Sequence, residues 1–110
     1  MANTFKNAAL ADVNSVAYDT LYTCPSATTA IILGVALANK TAQAVEVDVR
    51  FTDNSAGTNY HLLENVAIPG KTTLEVLAGQ KYVLEASDVL SVQAQSNSSI
   101  DVVLGLMEIT

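Results

Sequence analysis

The chain has 110 residues, half of them hydrophobic and 15% charged, with 5 basic residues against 11 acidic ones and a formal net charge of −6. That length suits one domain with a core that needs no metal or disulfide staple, and the composition is far from that of a disordered chain. Nucleic acids and anionic membranes both call for clustered Lys and Arg, so the acidic balance argues against either as a partner. Cys24 is the only cysteine, which rules out an intrachain disulfide and a cysteine-based zinc site. The opening MANTFKNAALADVN lacks the basic start and apolar run of a signal peptide, and the expectation is a domain that folds in a reducing cytoplasm.

Taken in order, residues 1–14 have little pattern. Phe5 is their one large apolar anchor, and an extended arm or a short helix is expected ahead of a body spanning 15–110. Residues 15–24 read as a strand carrying Val16, Tyr18, Leu21 and Tyr22, stopped by Pro25, which has no N–H for a ladder. Residues 28–39 (TTAIILGVALAN) form the longest apolar run, too short for a bilayer, which needs about 20 residues. With a period of two, Ile31, Leu33, Val35 and Leu37 fall on one side and the smaller Ala30, Ile32, Gly34, Ala36 and Ala38 on the other. The reading is a central strand covered on both faces, with its core on the odd side. Gly34 and the β-branched residues count against a buried helix.

The next stretch, 44–52, alternates Val45, Val47, Val49 and Phe51 with Glu46, Asp48, Arg50 and Thr52, the signature of a strand with one wet face. Turn chemistry at 53–57 joins it to a strand over 58–68 in a hairpin. Ile68-Pro69-Gly70-Lys71 predicts a type II turn with positive φ at Gly70. Shorter strands follow at 72–78, 81–85 and 89–95, with a tight turn at Gly79-Gln80. The last, 100–109, is again apolar on both sides: Ile100, Val102, Leu104 and Leu106 against Val103, Gly105, Met107 and Ile109. Eight short strands without a convincing helix predict an all-β fold, a single antiparallel β-sandwich or jelly roll.

No constellation of catalytic residues stands out. His61 is the single histidine, the acidic residues are scattered, no calcium-loop spacing occurs, and there is no Trp for sugar stacking. The expectation is a protein without catalytic, cofactor-binding or metal-ligating residues. What exceeds the needs of a small domain is the second apolar face of the two-sided strands, because surplus apolar surface marks interfaces. Phe5, Ile32, Gly34, Ala36, Gly105 and Met107 are the candidate interface residues, with the glycines expected to permit close backbone packing. Whether the 1–14 arm covers that face or a neighbouring protein does is open.

The segments MANTFKNA, TLYTCPSATTAIILGVALAN, LEVLAGQKYVLEASDVLSVQAQ and DVVLGLMEIT together resemble a group of small virion structural proteins of tailed bacteriophages, common among marine and cyanobacterial phages. The likeness covers most of the chain, with 39–58 its least distinctive part, and none of its motifs is catalytic. It implies a β-sandwich subunit, built into the virion in the host cytoplasm, that packs against the major capsid protein or other virion proteins. The likeness does not fix the place in the particle; the role expected is a capsid decoration or cement subunit, as a homotrimer. The alternative is a receptor- or carbohydrate-binding module, or a neck or tail component.

Overall fold

The computed structural model describes residues 2–77 and 80–110 and contains nine strands among them: β1 (Asn3–Leu10), β2 (Asp19–Thr23), β3 (Thr29–Asn39), β4 (Val45–Asp53), β5 (Thr58–Ile68), β6 (Thr73–Glu75), β7 (Tyr82–Leu84), β8 (Val89–Ala94) and β9 (Ile100–Ile109). They form two sheets, one with the order β1-β9-β3-β6 and β7 also on β3, the other β2-β8-β4-β5. Every pairing is antiparallel. The all-β sandwich expected from strand spacing is the observed fold, and the ninth strand is the stretch expected to be an arm. The tight turn expected at Gly79-Gln80 rests on Gly79, outside the described residues.

The core lies between the sheets, and strand alternation explains most of its membership. Val45, Val47 and Val49 of β4, Leu90, Val92 and Ala94 of β8, and Ile100, Val102, Leu104 and Leu106 of β9 all point inward and are buried. Each such Val, Leu or Ile side chain contributes about 1.5–3 kcal/mol of burial before entropy is counted.

The central strand departs from strict alternation. Its register against β9 slips between Ile32 and Gly34, so Leu33 is the extra residue of a β-bulge. The bulge exchanges the faces. Ala30 and Ile32 are buried before it, Val35 and Leu37 after it, while Ile31 is half-buried and Leu33 exposed. The odd-side core holds only beyond the bulge, and Ile32 belongs to the interior rather than to an outer interface. The backbone N–H of Val35 donates to Glu75 Oε1 at 2.8 Å, so a carboxylate satisfies a donor beside the irregularity.

Two further expectations are corrected. Of the strand expected over 15–24, only Asp19–Thr23 is formed, and Val16 is 82% exposed. At the Pro69 turn the positive φ falls on Lys71 (60°) and not on Gly70. Gly70 is needed for a different reason: a Cβ there would lie 2.4 Å from the backbone of Ala42.

Residues 1–14 are not a separate arm. Strand β1 pairs with β9 over eight consecutive positions without a register shift, and Val13 is fully buried in the core. The strand lies beside β9 in the plane of the sheet, so it extends the second apolar face instead of covering it.

Gly70→Ala should therefore destabilise the protein by about 1–3 kcal/mol, the usual cost of overpacking. Gly105→Ala, where an added Cβ meets nothing within 4 Å, should stay within about 0.5 kcal/mol of the parent. Urea denaturation of both variants checks the contrast; equal effects would remove the close-approach account of Gly70.

Candidate functional site

The outer face of the five-stranded sheet is built by register. Phe5 pairs with Met107, Met107 with Ile31, and Ile31 with Val83, so one row of apolar side chains crosses β1, β9, β3 and β7. Phe5 is 74% exposed and Val83 57%. At the Val83 end the row meets a small apolar pocket of about 90 Å³ lined by Phe51, Leu62, Tyr82, Val83, Leu84 and Leu90. The neighbouring row is Asn7, Gly105 and Gly34, which lacks bulk and forms a shallow trough. Beyond it Ala9, Val103 and Ala36 make a second, lower ridge, with Val103 56% exposed.

Charge is sparse on this face. Among the described residues, Asp101 and Glu75 are the charged side chains paired into these outward rows, both at the same end. Asp101 Oδ1 lies 3.0 Å from Lys40 Nζ and accepts the Asp12 N–H at 3.0 Å. The Asp12 N–H, and then Lys40, hold its carboxyl below the ordinary value. Glu75 is occupied by the Val35 N–H. A chain of net charge −6 thus presents one face of aliphatic, aromatic and small residues, the composition that interface centres favour.

Of the residues expected to make an interface, Phe5, Gly34, Ala36, Gly105 and Met107 come together on this face, and Ile32 does not. Within the chain an added Cβ at Gly105 would meet nothing within 4 Å, and at Gly34 the nearest atom to one is Glu75 Oε1 at 3.3 Å. The glycines shape a trough. Ile31, Val83 and Val103 complete the face; Val103 was visible in the two-sided pattern of β9, whereas Ile31 and Val83 need the bulge and the β3–β7 register.

The opposite side of the molecule is polar. On the outward side of the four-stranded sheet, the Tyr18 hydroxyl donates to Asp48 Oδ2 at 3.3 Å and lies 3.2 Å from His61 Nε2. The Arg50 guanidinium sits 3.8 Å from the centre of the Tyr18 ring, a cation–π contact. Burial and the Asp48 carboxylate push the Tyr18 phenol above its ordinary value. Glu46, Asp48, Asn65 and Gln93 border a shallow polar pocket of about 170 Å³ next to it. Cys24 is elsewhere, in the interior, where its thiol donates to the carbonyls of Thr28 (3.3 Å) and Leu84 (3.6 Å). Burial pushes that thiol up, away from the thiolate that reactivity requires. Among the described residues no three His, Cys, Asp or Glu side chains converge as a metal site.

One polar tie joins the sheets at the end of β9. Tyr22 of β2 donates its hydroxyl to Glu108 Oε2 at 2.6 Å, and Lys6 of β1 approaches Glu108 Oε1 at 3.0 Å. The Tyr22 hydrogen bond, and then Lys6, hold the Glu108 carboxyl below its ordinary value near 4.5. A carboxyl whose folded value is depressed adds stability above its unfolded value and loses it as pH falls through the folded one. Glu108→Gln should therefore be less stable than the parent at pH 7 and lose less stability between pH 7 and about pH 3. Denaturation midpoints at the two pH values test this; a parent–variant gap that stays constant would contradict it.

No protein-family profile and no curated protein matches this chain. Among solved structures it is similar to a chain from Bacillus endospore appendages, described as a novel family of disulfide-linked pili, with a TM-score of 0.56 and 10% identity over 98% of this chain and 88% of that one. At that identity the likeness bears on the fold alone: a two-sheet sandwich.

Proposed function

We propose that this protein is a non-enzymatic structural subunit of a bacteriophage virion, a decoration or cement subunit that stabilises the capsid shell by protein–protein packing. The observation that carries the packing is the nearly uncharged outer face of the five-stranded sheet, with its row Phe5, Met107, Ile31 and Val83. The phage assignment rests on the sequence resemblance. A subunit that binds only the assembled shell stabilises it by mass action, by about 2.7 kcal/mol per site at a hundredfold excess over Kd. A small homo-oligomer, a trimer, suits such a subunit, with the major capsid protein as its partner. The endospore appendage of similar fold is a protein assembly too, but its disulfide linkage has no counterpart in the buried Cys24.

A receptor- or carbohydrate-binding module is the second reading, favoured by one feature. The Tyr18 ring, stacked under Arg50, stands beside the carboxylate of Asp48 and a polar pocket. Sugar binding by the purified protein, lost in Tyr18→Ala, would support it.

Val103→Asp and Val83→Asp place charge on exposed positions of the outer face. Both variants should fold, by circular dichroism, with little loss of stability, and bind their shell partner at least tenfold more weakly, about 1.4 kcal/mol or more. Particles lacking the protein should assemble yet release their genome at lower temperature. Particles that keep full heat resistance but no longer adsorb to cells would replace the cement reading with the binding module.

A further inference from the structure

Strand β1 is held differently from every other long strand. None of its eight residues is in the buried core; Ala8 and Leu10 are only partly covered, and Phe5 is mostly exposed. Its attachment consists of the main-chain ladder to β9, the main-chain bonds between Ala2 and Thr110, and the Lys6–Glu108 ion pair. Of residues 2–14 Val13 alone is fully buried, with Ala8 and Leu10 packed at the edge of the core, and the Val13 N–H also donates to the Ile100 carbonyl at 2.9 Å. Between strand and anchor lies a two-residue corner, Ala11-Asp12, in which Asp12 has a φ of 56°. That is a left-handed conformation, sparsely populated by residues other than glycine.

We propose that β1 is exchanged between copies, so that the β9 edge of one molecule takes β1 of a second. The proposal deepens the assembly reading and rests on it, since it names the partner at that edge as another copy of this chain. The partner follows from complementarity. The β9 edge accepts eight residues in one unbroken register, with Lys6 at Glu108 and Phe5 at Met107, and every copy carries a strand that meets those requirements. Leaving β9 sacrifices ladder bonds that the second copy restores in kind, and little apolar burial is at stake. Straightening the corner releases Asp12 from positive φ, at the cost of its N–H bond to Asp101 and its ion pair with Lys40. The closed and exchanged forms then differ in the corner and in the new contacts between outer faces, and protein concentration sets the balance. The opposite sheet offers no equivalent, because β5 carries two register shifts against β4 and Ile68 at its end is buried.

Full-length protein carrying Asn7→Cys and Gly105→Cys, two positions in register across β1 and β9, tests this after mild oxidation and non-reducing electrophoresis at the concentration where it assembles. Cys24 is buried and stays in place, and each single variant serves as control. Interchain disulfides as the main product, whether a dimer or a ladder, are expected. Assembly in which the disulfides are almost all intrachain overturns the exchange and leaves the interface reading standing. Protein that stays monomeric at every concentration overturns the exchange and the homo-oligomer, while packing of the outer face against the shell partner is judged by the Val83→Asp and Val103→Asp variants. If the first pair does not fold, Ala9→Cys with Val103→Cys, also in register, gives the same readout.

Discussion

The pairing of β3 with β9 is the constraint on which the sandwich depends. The two longest strands of the five-stranded sheet run together for ten positions, interrupted by one slip. Their inward side chains, Ile32, Val35, Leu37, Val102, Leu104 and Leu106, are the apolar wall against which the four-stranded sheet packs. Every other strand of that sheet attaches to one of these two: β1 to β9, β6 and β7 to β3. The outer face inherits its plan from the same pairing, because the slip sets which residues of β3 stand beside Met107 and Gly105.

Carboxylates maintain the irregularities of the sheets. Glu75 takes the Val35 N–H beside the bulge of β3, and Asp48 takes the Asn65 N–H where β5 slips against β4. Asn65 itself has a φ of 52°, a conformation its short polar side chain tolerates. Asp88 is similar: it is buried and accepts the N–H groups of Asn54 and Glu85, joining two loops. Buried Asn39 donates to the carbonyls of Gln43 and Ile68 and accepts from Thr41, which fixes the turn leading to β4. Asp88 and Asn39, which are buried, are both satisfied, as burial demands.

These contacts mark what could be read from sequence. The β4–β5 hairpin and the inward face of β9 were legible because alternation and turn residues are local signals, carried by Val45 to Phe51, Gly57 and Ile100 to Leu106. The bulge at Leu33 was not, since the phase of a strand gives no sign of an inserted residue whose neighbouring N–H finds its acceptor 40 positions away. Ile32 was misplaced for that reason. Gly70 was recognised as a necessary glycine with the wrong cause, because the approach of Ala42 is a tertiary contact. Strand β1 was obscure because a strand with no buried residue has no alternation to display. As for the site, the doubled apolarity of β9 and the glycines pointed to a second face, whereas the row from Phe5 to Val83 exists only through cross-strand register.

On the proposed decoration role, the division between a bare face and an acidic remainder bears on how covered particles would behave toward one another. Subunits seated by the five-stranded sheet would turn the four-stranded sheet outward, with the exposed Glu46 and Glu64 and the half-buried Asp48 at its surface. Repeated over a lattice, those carboxylates would form a continuous negative skin whose field reaches about 8 Å into physiological salt. Such a coat would act as an electrostatic spacer, keeping crowded particles dispersed in the way that net charge keeps a colloid from flocculating.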